Sequence, residues 1–253
     1  MNREEAILRE LNLHPLWKRR APAAGQPELP RPAAAAQAAA AVDAAVAAPA
    51  AEPLSVQAAP ANQRAQTIAG LEWPQLKAMV RDCTACKLRA GCTQTVFGVG
   101  DEQADWLFVG EGPGADEDAR GEPFVGQAGK LLDSMLLALH LQRGNRVYIA
   151  NIVKCRPPNN RAPEADEIAT CLPYLQRQIA LLRPRIIVAL GKTAASALLE
   201  TGDAALGSLR GRVHDYQGTP LVVTYHPAYL LRTPLDKAKA WQDLSLAVQT
   251  ING

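Results

Sequence analysis

The sequence has no long run of strongly apolar residues. Its alanine-rich stretch is only weakly apolar and is interrupted by Gln37, Asp43 and Pro49. A membrane-spanning helix needs about 20 mainly apolar residues, so we do not expect this stretch to cross a bilayer. Charged residues such as Glu5 and Arg9 occupy the positions where a secretory signal needs an apolar core. We therefore expect a cytoplasmic protein with no membrane partner.

The chain also lacks a strong net charge and has few cysteines. Lys and Arg number 27 against 25 Asp and Glu, which gives a net charge of +2. The chain as a whole is therefore not a typical polyanion binder, and any contact with nucleic acid has to come from local clusters of Lys and Arg. Five cysteines among 253 residues argue against a disulfide framework in a cytoplasmic protein and favour metal or redox chemistry.

Residues 21–66 contain few of the large apolar side chains that a core requires, only Leu29, Val42, Val46, Leu54 and Val56. This composition cannot bury enough apolar surface to offset the entropy of ordering, so we expect a disordered Ala/Pro-rich linker. Residues 1–20 have a short helical pattern. We interpret them either as a helix docked on its own domain or as a tethered peptide that binds a partner protein or DNA. The folded domain is then expected at residues 67–253, and we expect it to be a monomer.

Short apolar runs of strand type alternate with helical patterns in the folded domain. The predicted strands are 106–109, 147–153, 185–190 and 221–225, and the predicted helices between them are 128–139, 165–182 and 193–200. Such alternation is typical of a parallel sheet that is covered on both faces. The sequence therefore predicts a three-layer α/β fold with a small central parallel sheet of about four strands, flanked by helices.

A glycine-rich turn with one carboxylate follows the first predicted strand. It contains Gly110, Glu111 and Gly112, at the sheet edge where open α/β folds bind ligands. The spacing from Gly110 to Ala115 also fits a dinucleotide fingerprint, so a nucleotide-binding oxidoreductase is a weaker alternative. Against it, the acidic residues 116–118 would place negative charge where a pyrophosphate should bind.

Two further polar groups come after predicted strands. His226 directly follows strand 221–225, and Pro227 restricts its backbone, so we expect the imidazole at the same sheet edge as Glu111. The basic loop 154–161 follows a strand that contains Asn151. It is either a solvated loop or part of a positive rim suited to phosphates, together with Arg210, Arg212 and Arg232.

The cysteines suggest a metal centre. Cys83 and Cys86 form a C-x-x-C pair, whose spacing lets two thiolates bind one metal centre. A site with four thiolates needs two more ligands, and Cys92, Cys155 and Cys171 are the candidates. Zinc and a [4Fe–4S] cluster both accept four cysteines, so the residues alone do not choose between them. Unrelated buried thiols are the alternative.

Together these stretches resemble the motifs of the family 4 uracil-DNA glycosylases, the iron–sulfur members of their superfamily. The resemblance covers about residues 70–250 and rests on Gly110 to Gly114, Pro123-Phe124-Val125-Gly126, Asn151 with loop 154–161, and His226-Pro227-Ala228-Tyr229-Leu230-Leu231. It implies a small parallel sheet between helices. It also implies a DNA-repair enzyme that hydrolyses the N-glycosidic bond of uracil in DNA. The products are free uracil and an abasic site.

The resemblance implies a set of cofactor ligands. The cluster cysteines of the family fall on Cys83, Cys86, Cys155 and Cys171, which would hold a [4Fe–4S] cluster and leave Cys92 as a bystander. We expect this cluster to have a structural role, because hydrolysis transfers no electrons. A module that keeps the fold and the cluster but has lost catalysis is the alternative function.

The resemblance also implies roles for residues at the sheet edge. Glu111 and His226 take the catalytic positions, the first acting at the sugar and the second at the departing uracil. The residues expected to hold the uracil are Gly110, Gly112, Phe124 and Asn151. Glu117 and Asn160 are candidates for positioning water, and the expected DNA contacts are Arg156, Arg161 and Arg232.

Overall fold

A computed structural model of the protein describes residues 59–253. The predicted segment 1–20 and most of the predicted linker lie outside the described residues. Helix α1 (Ala59–Ala69) overlaps the end of that linker. Arg64 Nη1 donates to the Thr170 carbonyl oxygen at 2.7 Å, and the Ile68 side chain is fully buried. Helix α1 therefore packs against the folded domain predicted from the sequence.

One mixed sheet of six strands forms the centre of the described region, in the order β1-β3-β2-β4-β6-β5. Its strands are β1 Val99–Gly100, β2 Trp106–Gly110, β3 Val147–Asn151, β4 Ile186–Leu190, β5 Val213–Tyr216 and β6 Thr219–Thr224. Strands β3, β2, β4 and β6 are parallel, which confirms the predicted four-stranded parallel core. Strands β1 and β5 pair antiparallel at the two edges and were not expected.

Helices cover both faces of this sheet. After α1 come α2 Trp73–Arg81, α3 Ala115–Arg120, α4 Gln127–Ala138, α5 Ala165–Leu182, α6 Lys192–Leu199, α7 Leu206–Leu209, α8 Pro227–Arg232 and α9 Lys237–Asn252. Successive side chains of a strand point to opposite faces. Accordingly, Leu107 of β2 belongs to the core cluster that includes residues of α2 and α5, whereas Phe108 belongs to the cluster that includes residues of α4 and α9. The three-layer α/β prediction is confirmed.

The carboxyl ends of the parallel strands meet at one edge. Gly110, the last residue of β2, pairs in register with Asn151, the last residue of β3. His226 follows β6 by two residues, and Gly191 directly follows β4. The chain turns of all four parallel strands therefore lie at this edge. Within residues 59–253, no helix combines the length and the apolar character that a bilayer crossing demands.

Candidate active site

A cleft of about 490 Å³ opens at the carboxyl edge of the parallel strands. Its volume lies in the usual range for a small-molecule site. It brings together most of the residues that the sequence singled out, namely Glu111, Gly112, Glu117, Phe124, Asn151, Asn160, Arg161, His226 and Arg232. Gly110 lies directly against two of these residues. The expected meeting of separate motifs at one sheet edge is therefore observed.

Gly110 allows β2 to approach two other residues of the cleft very closely. A Cβ atom at this position would lie 2.5 Å from Asn151 Oδ1 and 2.6 Å from Phe124 Cζ. Both distances are far below van der Waals contact. Any side chain here would therefore displace the Asn151 amide or the Phe124 ring.

The backbone that carries the buried Phe124 ring is held by hydrogen bonds. Phe124 is only 4% exposed and has a left-handed φ of 55°, a conformation that costs about 1–3 kcal/mol. Arg143 donates to the carbonyl oxygens of Pro123 and Phe124, both at 2.9 Å. The centroids of the Phe124 and His226 rings lie 5.5 Å apart, with the planes 31° from parallel. The loop thus presents one aromatic face beside the imidazole.

The Asn151 side chain has an unused acceptor. The residue is 2% exposed, and its Oδ1 atom is buried without a hydrogen-bond partner in the described part of the chain. Such an unmet polar atom costs about 1–3 kcal/mol and is rare in folded proteins. Since Asn151 lines the cleft, its Oδ1 atom is available to accept a hydrogen bond from a bound molecule.

The hydrogen bonding of His226 determines which ring nitrogen carries the proton. Nδ1 accepts from the Ala228 backbone N–H at 3.2 Å. A neutral imidazole therefore has its proton on Nε2. Burial, together with the positive charge of Arg232, lowers the pKa of His226 to about 4, while Glu117 acts in the opposite direction. At neutral pH the ring is an uncharged donor at the cleft.

The Glu111 carboxylate is fixed by a residue that the sequence motifs did not indicate. Thr193, the second residue of α6, donates its hydroxyl hydrogen to Glu111 Oε2. Both residues line the cleft. Position was the only signal in the sequence, since Thr193 comes three residues after the end of β4 and hence at the same sheet edge. The hydroxyl donor leaves the carboxylate with limited freedom to turn.

Glu117 connects two loops of the cleft wall, the glycine turn and the loop that carries Phe124. Its Oε2 atom accepts from the Gly114 N–H at 3.0 Å. Its Oε1 atom accepts from the N–H groups of Val125 and Gly126 at 2.9 and 3.0 Å. The glycine turn is therefore tied to the loop that carries Phe124.

Two of the residues expected to contact DNA already have partners. Arg161 donates to both carboxylate oxygens of Glu167 at 2.7 and 2.8 Å. This bidentate pair lowers the pKa of Glu167 to about 2. Arg156 donates to Asn160 Oδ1 at 2.7 Å, so Arg156 lies next to the cleft and orients a residue that lines it.

The positive rim differs from the one predicted. Arg210 pairs with the buried Asp243 at 2.7 Å, and Lys154 is buried, so neither belongs to a solvated rim. The sequence could not show this because their partners come from distant segments. The cations that line the cleft itself are Lys192, Arg161 and Arg232.

A second cavity gathers four of the five cysteines. It is lined by Cys83, Cys86, Cys155 and Cys171, whereas Cys92 lies beside it with its Sγ 3.7 Å from Arg89 Nη1. All five are free thiols in the described region. Among the described residues no three metal-binding side chains converge on a single ion. The chemistry of the donor set fits a [4Fe–4S] cluster, which uses four thiolates and requires a wider cage because each cysteine binds a different iron.

Comparison with known proteins defines the class to which this fold and cleft belong. The model of the uracil DNA glycosylase superfamily matches residues 97–245, and the chain belongs to that superfamily. The chain is 43% identical over 185 residues to the type-4 uracil-DNA glycosylase of Pyrobaculum aerophilum. This match covers 70% of this chain and 93% of that enzyme.

A second relative agrees with the first. The type-4 uracil-DNA glycosylase of Thermotoga maritima is 46% identical over 154 residues, or 60% of this chain and 80% of that enzyme. Within its superfamily the chain is therefore a member of the type-4 uracil-DNA glycosylases. The resemblance of the sequence motifs to this family is confirmed.

Proposed function

We propose that the protein excises uracil from DNA by hydrolysing the N-glycosidic bond, and that it leaves an abasic site for base excision repair. Its type-4 relatives are uracil-DNA glycosylases by name. The single observation that carries the proposal is the buried Oδ1 atom of Asn151, which has no partner among residues 63–253. A base inside a duplex cannot reach such a cleft, so the nucleotide has to be flipped out.

The Asn151 amide accounts for the choice of base. Uracil presents an N3–H donor to Oδ1, while its O4 accepts from the amide nitrogen. Cytosine presents an acceptor at N3 and an amino donor at C4, so both pairs would be mismatched. A site that is built to hydrogen-bond its substrate rejects an analogue of the wrong pattern by about 10⁴-fold. Phe124 offers the face on which the uracil ring stacks.

Bond cleavage separates charge, and the cleft has groups for both signs. As the bond from C1′ to N1 breaks, uracil leaves as an anion with charge at O2. The Nε2–H of neutral His226 and the N–H groups of the glycine turn stabilise that charge. The Glu111 carboxylate, held by Thr193, stabilises the positive sugar and orients the water that adds to C1′.

Glu117 and Asn160 are second candidates for positioning water. Glu117 already accepts three backbone hydrogen bonds, and Asn160 Oδ1 accepts one from Arg156. These contacts favour a role in shaping the cleft. Arg161, Arg232 and Arg156 are proposed to contact the DNA backbone around the flipped nucleotide, where phosphate contacts fix register without reading sequence.

We propose that Cys83, Cys86, Cys155 and Cys171 hold a [4Fe–4S] cluster. Such a group supplies a rigid link between segments that are distant in sequence. It joins the region after α2 to the loop after β3 and to α5. The cluster takes no part in bond cleavage, because hydrolysis transfers no electrons. We also propose that the protein acts as a cytoplasmic monomer, with residues 1–20 as a tethered peptide for a protein partner.

One assay tests the proposed reaction. Purified protein is incubated with an end-labelled oligonucleotide that contains one uracil, and alkali then cleaves the strand at abasic sites. We expect scission at the uracil and none in matched oligonucleotides with cytosine or thymine at that position. Absence of scission at uracil in both single- and double-stranded substrates would refute the enzyme and favour a catalytically inactive DNA-binding module.

A further inference from the structure

Lys154 is a buried cation with an unusual set of partners. It follows β3 by three residues and is only 1% exposed. Its Nζ atom donates to the backbone oxygen of Asn151 at 2.9 Å and to Gln178 Oε1 at 2.6 Å. Both acceptors are uncharged, and no carboxylate forms an ion pair with Lys154 anywhere in residues 63–253.

The neutral partners of Lys154 are fixed. Gln178 Nε2 donates to the Phe97 carbonyl oxygen at 3.0 Å, so the amide oxygen of Gln178 has to face the ammonium. A buried charge is unfavourable unless an opposite charge or a metal centre compensates for it. The contacts around Nζ supply hydrogen bonds but no compensating negative charge.

The neighbouring cysteine cavity would supply that negative charge if it held a cluster. Lys154 lines this cavity, and its backbone N–H donates to Cys171 Sγ at 3.2 Å. Four thiolates outweigh the positive charge of a [4Fe–4S] core, so a bound cluster is an anion. Hydrogen bonds and charges near the sulfur atoms tune such a cluster.

We propose that Lys154 is a positioning residue that links the cysteine cluster to the uracil-reading Asn151. The cluster anion stabilises the buried ammonium, and the ammonium holds the end of β3 through the Asn151 carbonyl oxygen. The inference rests on the proposed function of both sites. On this proposal the cluster has a defined role in a hydrolase, which is to keep the Asn151 amide at a fixed position beside Gly110 and Phe124.

The test compares Lys154→Met with Lys130→Met in the full-length protein. Lys130 is an exposed residue of α4 and serves as the matched control. We expect Lys154→Met to give a more negative reduction potential, because a nearby positive charge is lost, and to release iron to a chelator faster. Since misplacement by about 1 Å can cost 10²-fold, we expect kcat/KM for uracil excision to fall about 10- to 100-fold. Lys130→Met should match the parent protein in all three measurements.

Two results with the Lys154→Met variant would overturn the proposed link between the cluster and Asn151. Parental potential and parental kcat/KM in Lys154→Met would show that the ammonium serves neither site. Lost activity with parental potential and iron release would show that Lys154 supports Asn151 independently of the cluster. If Lys154→Met does not fold, Lys154→Gln is judged by the same criteria.

Failure of the proposed function gives a different result. A parent protein that binds iron but leaves uracil in DNA would refute the glycosylase assignment, and the same result would overturn the part of the inference that concerns Asn151. The potential and iron release of Lys154→Met would still decide whether the ammonium pairs with the cluster. A parent protein without iron would overturn the link itself.

Discussion

Replacing Asn151 with alanine should separate the stability of the protein from its chemistry. In the free protein the Oδ1 atom is buried with its hydrogen-bonding capacity unused by any described residue, which costs about 1–3 kcal/mol. Removing the side chain deletes this unfavourable term but also loses packing against Gly110. We therefore expect the free energy of unfolding to change by no more than about 1 kcal/mol.

The same substitution should have a large effect on the reaction. Uracil loses two hydrogen bonds with a net value of about 0.5–1.5 kcal/mol each, and its N3–H and O4 groups are left poorly paired in the cleft, at about 1–3 kcal/mol each. Because these terms are only partly additive, we expect a loss of about 3–6 kcal/mol. With 1.4 kcal/mol per factor of ten, this corresponds to a kcat/KM about 10²- to 10⁴-fold lower.

Excision from a uracil oligonucleotide and unfolding in urea measure the two quantities in one buffer. Asn145→Ala is the control, since Asn145 is an exposed residue in the turn before β3. It should leave both quantities near those of the parent protein. The reasoning is refuted if Asn151→Ala keeps kcat/KM within about threefold of the parent, or if its loss of stability is as large as its loss of transition-state stabilisation.

Three further predictions concern other parts of the molecule. Gly110→Ala should abolish detectable uracil excision while the domain stays folded, as circular dichroism would show, because the new Cβ occupies space at the Phe124 ring. Above pH 5 the imidazole of His226 stays neutral, so its titration should not affect excision. The rate should fall as the pH approaches the His226 pKa of about 4, where Nδ1 gains a proton and loses its hydrogen bond from the Ala228 N–H. A loss centred near pH 6.5 in a pH–rate profile would contradict this. Cys171→Ser should lose most of the iron and the visible absorption, whereas Cys92→Ser should keep both; equal loss in the two variants would place Cys92 among the ligands.

The parallel strands could be predicted because burial on both faces leaves a continuous apolar run. Strand β2 illustrates this, since every residue of Trp106–Gly110 is buried. The edge strands give no such signal. Strand β5 contains His214 and Asp215 and has only one buried residue, while β1 is only two residues long. Their pairing depends on neighbours that are distant in sequence, which local periodicity does not show.

The active site was predictable to the extent that it follows from topology. Polar residues that come directly after parallel strands share one edge, and this rule alone predicts that Glu111 and His226 line the same cleft, as they do. Burial and pairing of side chains were not predictable in the same way. Lys154 and Arg210 look like surface cations in the sequence, yet Gln178 and Asp243 hold them inside the domain.

The structure also bears on which of two carboxylates does the chemistry. Both oxygens of Glu117 accept hydrogen bonds from backbone N–H groups, so a water molecule would have to compete with three donors that already hold the cleft together. Glu111 accepts one hydroxyl hydrogen bond at Oε2, which orients the carboxylate and leaves Oε1 with capacity for a reacting water. A group that fixes two loops has to stay where it is during the reaction, whereas a group that guides water needs an oxygen directed at the substrate. The division of contacts therefore favours Glu111 for the reaction and Glu117 for the shape of the cleft.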